Sequence, residues 1–315
     1  MESWKKEMVE QLLHRIPSDF DKVVAIKEPF IPRKLYRYGS VNDNQLNGLK
    51  YSTVYLSNPV DFNDPYDTSF LIDTDSIYTL TTDEEISVFE TRIGKPFTNK
   101  ERTLLKEGKR FSEVILSGFP DEKFDPRFPK EMLIQLGEHF CSNHVQQIFK
   151  RLEEAIRNSV RICCFTTRYD NMPMWYHYAN KHSGICIEFD IEESNSLFKR
   201  LLFPVIYNNE RFNATEYIKH IDDPSMGLER FDLYASLFKS KDWENEDEWR
   251  LVLVGGVLET CPYMKVKINA VYLGRNIKEE DKSKVLSICK SKNIPVYQVD
   301  LCSSKDYTLI PTEVQ

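Results

Sequence analysis

Glycine is scarce in this chain, 11 of 315 residues. That argues against a dinucleotide fold built on glycine-rich phosphate loops. The sequence holds no Gly-x-x-x-x-Gly-Lys loop, no His-Glu-x-x-His helix and no Gly-x-Ser-x-Gly elbow. The commonest kinase, zinc-protease and serine-hydrolase chemistries are therefore disfavoured. No uninterrupted apolar run approaches the roughly 20 residues that span a bilayer. The opening Met1-Glu2-Ser3-Trp4-Lys5-Lys6-Glu7 is polar, with no signal-peptide core behind it. The seven cysteines show no Cys-x-x-Cys spacing. Most lie in apolar patterns and read as buried reduced thiols, so the expected compartment is the cytoplasm. Positive charge is also in deficit: a net charge of −7 gives no global attraction to nucleic acid or anionic membrane. A local basic cleft stays open, so nucleic acid is not excluded as a partner.

What is present is an ordinary globular composition, 41% hydrophobic and 29% charged. Sixteen Tyr and 19 Phe suit a core and flat ligands alike. An amphipathic helix is expected over Trp4–Ile16 and a short strand at Leu35–Tyr38. One or two helical turns follow at Asn42–Leu49, then a strand at Tyr51–Ser57. From Asp83 to Val160 the pattern turns helical, with a stripe through Leu133, Leu136, Phe140, Ile148, Leu152 and Ile156. Strands return at Arg161–Thr167, Gly184–Asp190, Leu201–Tyr207, Trp249–Val254 and Met264–Ile268. Helices are expected at Met172–Lys181 and Leu228–Lys239, and a strand–helix–strand unit spans Ala270 to Leu301. The expected fold is α+β: one mixed-sheet domain over 1–315, with a helical insertion at 76–160 between early and later strands.

The densest chemistry lies at Trp243–Arg250, where Glu244, Glu246, Asp247 and Glu248 crowd the entrance to the run Leu251-Val252-Leu253-Val254. Carboxylates at this density repel one another unless cations or a ligand compensate. In an extended segment Glu246 and Glu248 share one face, because side chains alternate with period two. They are either a catalytic pair or part of a solvated acidic loop whose glutamates pair with Arg250 or a nearby lysine.

Met174-Trp175-Tyr176-His177-Tyr178-Ala179, followed by His182, concentrates aromatics and imidazoles in one short helix. Trp175 and Tyr178 read equally as core or as an aromatic wall for a base or nicotinamide ring. His177 and His182 are five apart, the wrong spacing for two ligands on one helix face, so no metal site is expected there. Arg37, between Tyr36 and Tyr38, is by default a solvent-facing strand residue. Thr166-Thr167 at a strand end fits β propensity as well as a phosphate contact.

Several separated motifs together resemble the bacterial family known as domain of unknown function 2971. They are Leu35-Tyr36-Arg37-Tyr38, Leu56-Ser57-x-Pro59-x-x-Phe62-Asn63-Asp64-Pro65, Cys164-Phe165-Thr166, Met174-Trp175-x-His177-Tyr178-Ala179, and Lys239-Ser240-x-x-Trp243-x-x-Glu246-x-Glu248-Trp249-Arg250. That family name carries no activity. The order Arg37, Thr166-Thr167, Glu246-x-Glu248 is also similar in layout to ADP-ribosyltransferase toxins, with Thr-Thr where their pattern has Ser-Thr-Ser. This second resemblance implies an enzyme that consumes NAD as a substrate, an ADP-ribosyltransferase or NAD glycohydrolase, in a bacterial toxin or defence setting. Glu248 would stabilise the cationic ribose and Glu246 would position an acceptor. Arg37 would hold pyrophosphate, Thr166 and Thr167 would brace the site, and Tyr36, Trp175, His177 and Tyr178 would contact the nucleotide. A macromolecular acceptor is compatible with this reading, and no resident metal is needed. Two rivals stand beside it. One is a Mg²⁺-dependent nuclease using the acidic cluster, with Arg37 and Lys241 on phosphates; the other is a sensor without turnover.

Overall fold

Runs such as Ile185-Cys186-Ile187-Glu188-Phe189 and Trp249-Arg250-Leu251-Val252 are apolar without strict alternation, the pattern of strands covered on both faces. In the computed structural model they become central strands of one large sheet. The structure describes residues 1–13, 20–73, 96–107, 149–215, 228–255, 262–302 and 307–314, with isolated positions between 83 and 147. The chain divides into two compact units. The first comprises Met1–Ser69, Arg157–Arg211 and Glu229–Gln315, and the second Phe70–Ile156 and Phe212–Leu228.

The strands are β1 (Lys34–Gly39), β2 (Thr53–Tyr55), β3 (Phe70–Leu71), β4 (Val160–Thr166), β5 (Ile185–Asp190), β6 (Leu202–Pro204) and β7 (Ile206–Asn208). After them come β8 (Phe212–Asn213), β9 (Phe238–Ser240), β10 (Glu248–Val254), β11 (Tyr263–Lys265), β12 (Lys267–Leu273), β13 (Val296–Leu301) and β14 (Leu309–Glu313). In the first unit, eight strands form a mixed sheet in the order β14-β13-β12-β5-β1-β4-β10-β6. Only β12 and β13 run parallel, and the helix Glu279–Ser291 supplies the crossover such a pair requires. The expected α+β mixed sheet is therefore present.

One face of this sheet carries Leu35, Phe165, Ile187, Phe189, Trp249 and Leu251 into the main core, where Leu49, Phe198 and Val285 from three helices meet them. The opposite face carries Tyr38, Cys186 and Tyr272 against Met174 and Trp175 of the short helix Met172–His177. Full burial of a phenylalanine such as Phe165 contributes about 1.5–3 kcal/mol relative to exposure. The helix Asp43–Tyr51 starts where the Asn42 side chain accepts from the Gln45 amide and stops at left-handed Ser52.

Two departures from expectation matter. The helix expected over Leu228–Lys239 ends at Ala235, and Phe238–Ser240 becomes β9, paired parallel with β7. Lys239 thus belongs to a strand. The edge strand β14 was not expected, since Pro311 interrupts its pattern.

In the second unit, β3 pairs parallel with β8. The helix Asn99–Lys106 opens with a capping box between Thr98 and Glu101. Of the expected hydrophobic stripe, Leu133, Leu136, Phe140 and Ile148 lie outside the described residues, while Ile156 is buried. Among the described residues, no helix is long and apolar enough to cross a membrane.

Candidate functional site

The site is built where β1 and β4 part company. The two strands share a single register pair, Tyr36 with Thr166. Four residues earlier on β4, Ile162 pairs instead with Ser57, through two backbone hydrogen bonds of 2.8 and 2.9 Å. A gap therefore opens beside Cys164 and Phe165, and a cavity of about 190 Å³ fills it. Phe62, Asn63 and Asp67, from the segment after Ser57, form part of its wall.

Glu246 and Glu248 reach this cavity by a route other than the extended one expected. Ser240 caps a 3-10 helix over Lys241–Glu246, and Asp247 is left-handed at φ 45° before β10 begins at Glu248. The kink at Asp247, rather than strand alternation, brings both carboxylates to one ammonium. Lys239 Nζ donates to Glu246 Oε2 at 2.6 Å and to Glu248 Oε2 at 2.8 Å. Arg250, fully buried, donates from Nε to Glu248 Oε1 at 2.8 Å and grips both oxygens of Asp67 at 2.8 and 2.6 Å. Tyr178 donates its hydroxyl to Glu246 Oε1 at 2.7 Å, and the Glu248 amide donates to Tyr207 at 2.9 Å.

Three buried carboxylates, Asp67, Glu246 and Glu248, thus face two buried cations, Lys239 and Arg250. One negative charge is left over. Burial alone would push the Glu248 carboxyl up, but Arg250 and then Lys239 overcome it and hold the group well below the usual carboxylate range. Burial would likewise depress Lys239, and Glu248 and Glu246 reverse that and raise it. Burial pushes the Cys164 thiol well up, with Glu248 adding to the effect, so it stays protonated.

Of the residues anticipated from sequence, Tyr36, Arg37, Tyr178, Glu246 and Glu248 line the cavity. The Arg37 side chain makes no hydrogen bond or ion pair among the described residues. Arg37 stands on β1, two strands from Glu248 on β10 with β4 between them, a spacing of about 10 Å. Thr166 is fully buried between Tyr36 and Glu248 in the ladder, where it accepts from the Arg168 amide at 3.3 Å. Thr167 donates to Asp247 instead. Two expected nucleotide contacts need correcting. Trp175 is 0% exposed and its indole donates to Tyr169 O at 2.7 Å, so it has no ring face free for a ligand. His177 is exposed, edge-on to Tyr176, and is not a cavity residue.

Sequence reasoning missed Lys239 and Asp67 as site residues. Lys239 sat inside an expected helix, and nothing local linked Asp67 to Arg250. The signal for Lys239 was the motif pattern itself, which includes Lys239-Ser240, whereas Asp67 lies two residues beyond the motif that ends at Pro65.

No curated protein and no solved structure matches this chain. Residues 174–251, which run from the aromatic helix through Lys239 to the middle of β10, match the model of the family described as Protein of unknown function (DUF2971).

Proposed function

We propose that the cavity receives the nicotinamide end of NAD and that the chain is an ADP-ribosyltransferase or NAD glycohydrolase. The observation that carries this reading is the unmatched negative charge of the Asp67, Glu246, Glu248, Lys239 and Arg250 network beside the cavity. Cleaving the bond between ribose C1′ and the pyridinium nitrogen sends the bonding pair to nicotinamide, which leaves neutral, and transfers positive charge to the ribose. A carboxylate held ionised stabilises that charge. Glu248 fits this role because Arg250 and Lys239 keep it deprotonated. Glu246, with Tyr178 and Lys239 as its partners, stands next to it to accept the proton of an incoming water or acceptor hydroxyl. Enclosed pockets for whole drug-sized ligands run to about 300–1,000 Å³. A cavity of about 190 Å³ suits one ring and its sugar edge, with the rest of the dinucleotide outside.

The test is release of ring-labelled nicotinamide from NAD, with and without cell extract as a source of acceptors. Release should persist in a chelator and fall by about 10²–10³ in a folded Glu248→Gln protein, the scale of one lost electrostatic group. Absence of release under both conditions defeats the proposal.

A second reading has its own observation: both Glu248 oxygens are already bound by Arg250 and Lys239. If the network only builds a rigid non-catalytic site, Glu248→Gln lowers stability and wild-type protein releases nothing. The nuclease alternative fits less well. A divalent cation would have to displace Lys239 or Arg250 from these carboxylates, and Lys241 is exposed and not part of the cavity wall.

A further inference from the structure

A second cavity, of about 360 Å³, lies on the other side of Lys239. Two of its residues carry an unmet need. Asp64 is 7% exposed and Ser69 is 4% exposed, and Asp64 Oδ2 and Ser69 Oγ each lack a hydrogen-bond partner. Buried polar atoms are nearly always partnered, because an unpartnered one bears its full desolvation cost. Two such atoms on the wall of one cavity call for a shared partner. Asp64 is otherwise well fixed, since its Oδ1 accepts from the Tyr66 amide at 2.9 Å.

The chemistry of that partner follows from the rest of the wall. An ionised carboxylate only accepts, so the ligand must donate. Glu210 and Asp242 add two more carboxylates to the lining. Of the two cations present, Lys239 is committed to Glu246 and Glu248, and Arg211 sits 5.4 Å from the Tyr66 ring. The local balance is therefore negative. Tyr66, Phe238 and Trp243 supply aromatic surface, and Trp243 already attracts a cation, the Lys239 ammonium at 5.1 Å from its ring centre.

We infer that this second cavity binds a small organic cation through an N–H donor group, with Asp64 and Ser69 as its anchoring acceptors. A primary ammonium meets each demand at once: several donors, one positive charge and a taste for ring faces. The inference is independent of the NAD reading, because it rests on different atoms and a different cavity.

The test is calorimetric titration of the full chain with n-butylammonium chloride and with n-butanol at matched ionic strength. Butylammonium should bind saturably below about 100 mM, and at least about tenfold more tightly than butanol. Asp64→Asn keeps the Oδ1 acceptor while removing the charge, and should weaken butylammonium by about tenfold; Ser69→Ala should weaken it by about threefold. Circular dichroism melts of both variants establish that they are folded, and butylammonium should raise the melting temperature most in wild type, less in Ser69→Ala and least in Asp64→Asn. A bound water could also partner Asp64 and Ser69, but it would not distinguish butylammonium from butanol. Equal affinity for the two probes, no saturation, or full affinity in folded Asp64→Asn overturns the inference.

Discussion

Among the described residues two lysines of the first unit are buried, and their surroundings treat the same ammonium in opposite ways. Lys239 meets two whole carboxylates, and its proton is held more tightly than usual. Lys27 meets no carboxylate at contact distance. Its Nζ donates to the carbonyls of Lys199, Arg200 and Leu202 at 2.6, 3.0 and 2.5 Å and lies 4.1 Å from the Phe203 ring centre. It caps the carbonyl end of the helix Ser196–Leu201, where the helix dipole offers about half a charge. Burial, aided by nearby Arg200, pushes Lys27 down to about 7. At Lys27 partial charges satisfy the hydrogen bonds without offsetting desolvation of the ion, whereas at Lys239 two full countercharges outweigh it. Lys27 is therefore an architectural cap, whereas Lys239 is the hub of a charged site.

The largest effect should come from the hub. Lys239→Met leaves Glu246 and Glu248 buried against each other and should cost about 3–5 kcal/mol in urea denaturation. Adding Glu246→Gln should return part of that loss, since it removes one of the stranded charges. Lys27→Met also strands acceptors, but neutral ones, and removes an ion that burial disfavours. Its cost should be about 1–2 kcal/mol at neutral pH, and a cost matching that of Lys239→Met would erase the distinction drawn above.

Proton linkage sharpens the contrast. Lys27 titrates near 7 when folded and near 10.5 when unfolded. Between these values the unfolded chain binds more protons, so this group makes stability rise with pH, by up to about 1.4 kcal/mol per unit. The difference between wild type and Lys27→Met should carry that slope from pH 7 to 9. For Glu248 the sign is the same and only the pH window differs. Its folded value is lowered, so its contribution is full above the ordinary carboxylate value of 4.5 and is lost as pH falls through the folded value. Acid denaturation of Glu248→Gln should be flatter below that point. The smallest effect belongs to an uncharged cap: Asn42→Ala should cost about 1 kcal/mol in the same urea assay.

Much of this architecture was readable from local pattern. The acidic entrance to β10, the helical turns from Asn42 and the strand–helix–strand unit near the C-terminus all announce themselves within a dozen residues. The site was only half legible. Glu246 and Glu248 stood out by charge density, but their juxtaposition depends on left-handed Asp247, which no hydrophobic period encodes. Lys239 was hidden because Leu228–Lys239 keeps a helical period while two turn residues, Ser236 and Leu237, end the helix early. Trp175 illustrates the converse. An aromatic side chain looks the same in sequence whether it lines a ligand or fills a core, and only its burial decides.

The order in which the strands leave the ribosome differs sharply from their order in the sheet. β1 is central, yet neither neighbour, β4 or β5, exists until more than a hundred further residues are made. Asp67 precedes Arg250 by 183 positions. At about 5–20 residues per second, the nascent chain carries an unpaired β1 and an acidic loop without its cation for roughly ten seconds or more. The cavity in the gap between β1 and β4 lacks Lys239, Glu246 and Glu248 until β9 and β10 are made, so its charged wall comes from late, long-range contacts. Synthesis itself is therefore the interval in which this fold is most exposed to aggregation, and a holding chaperone acting on residues 34–69 would have its greatest effect there.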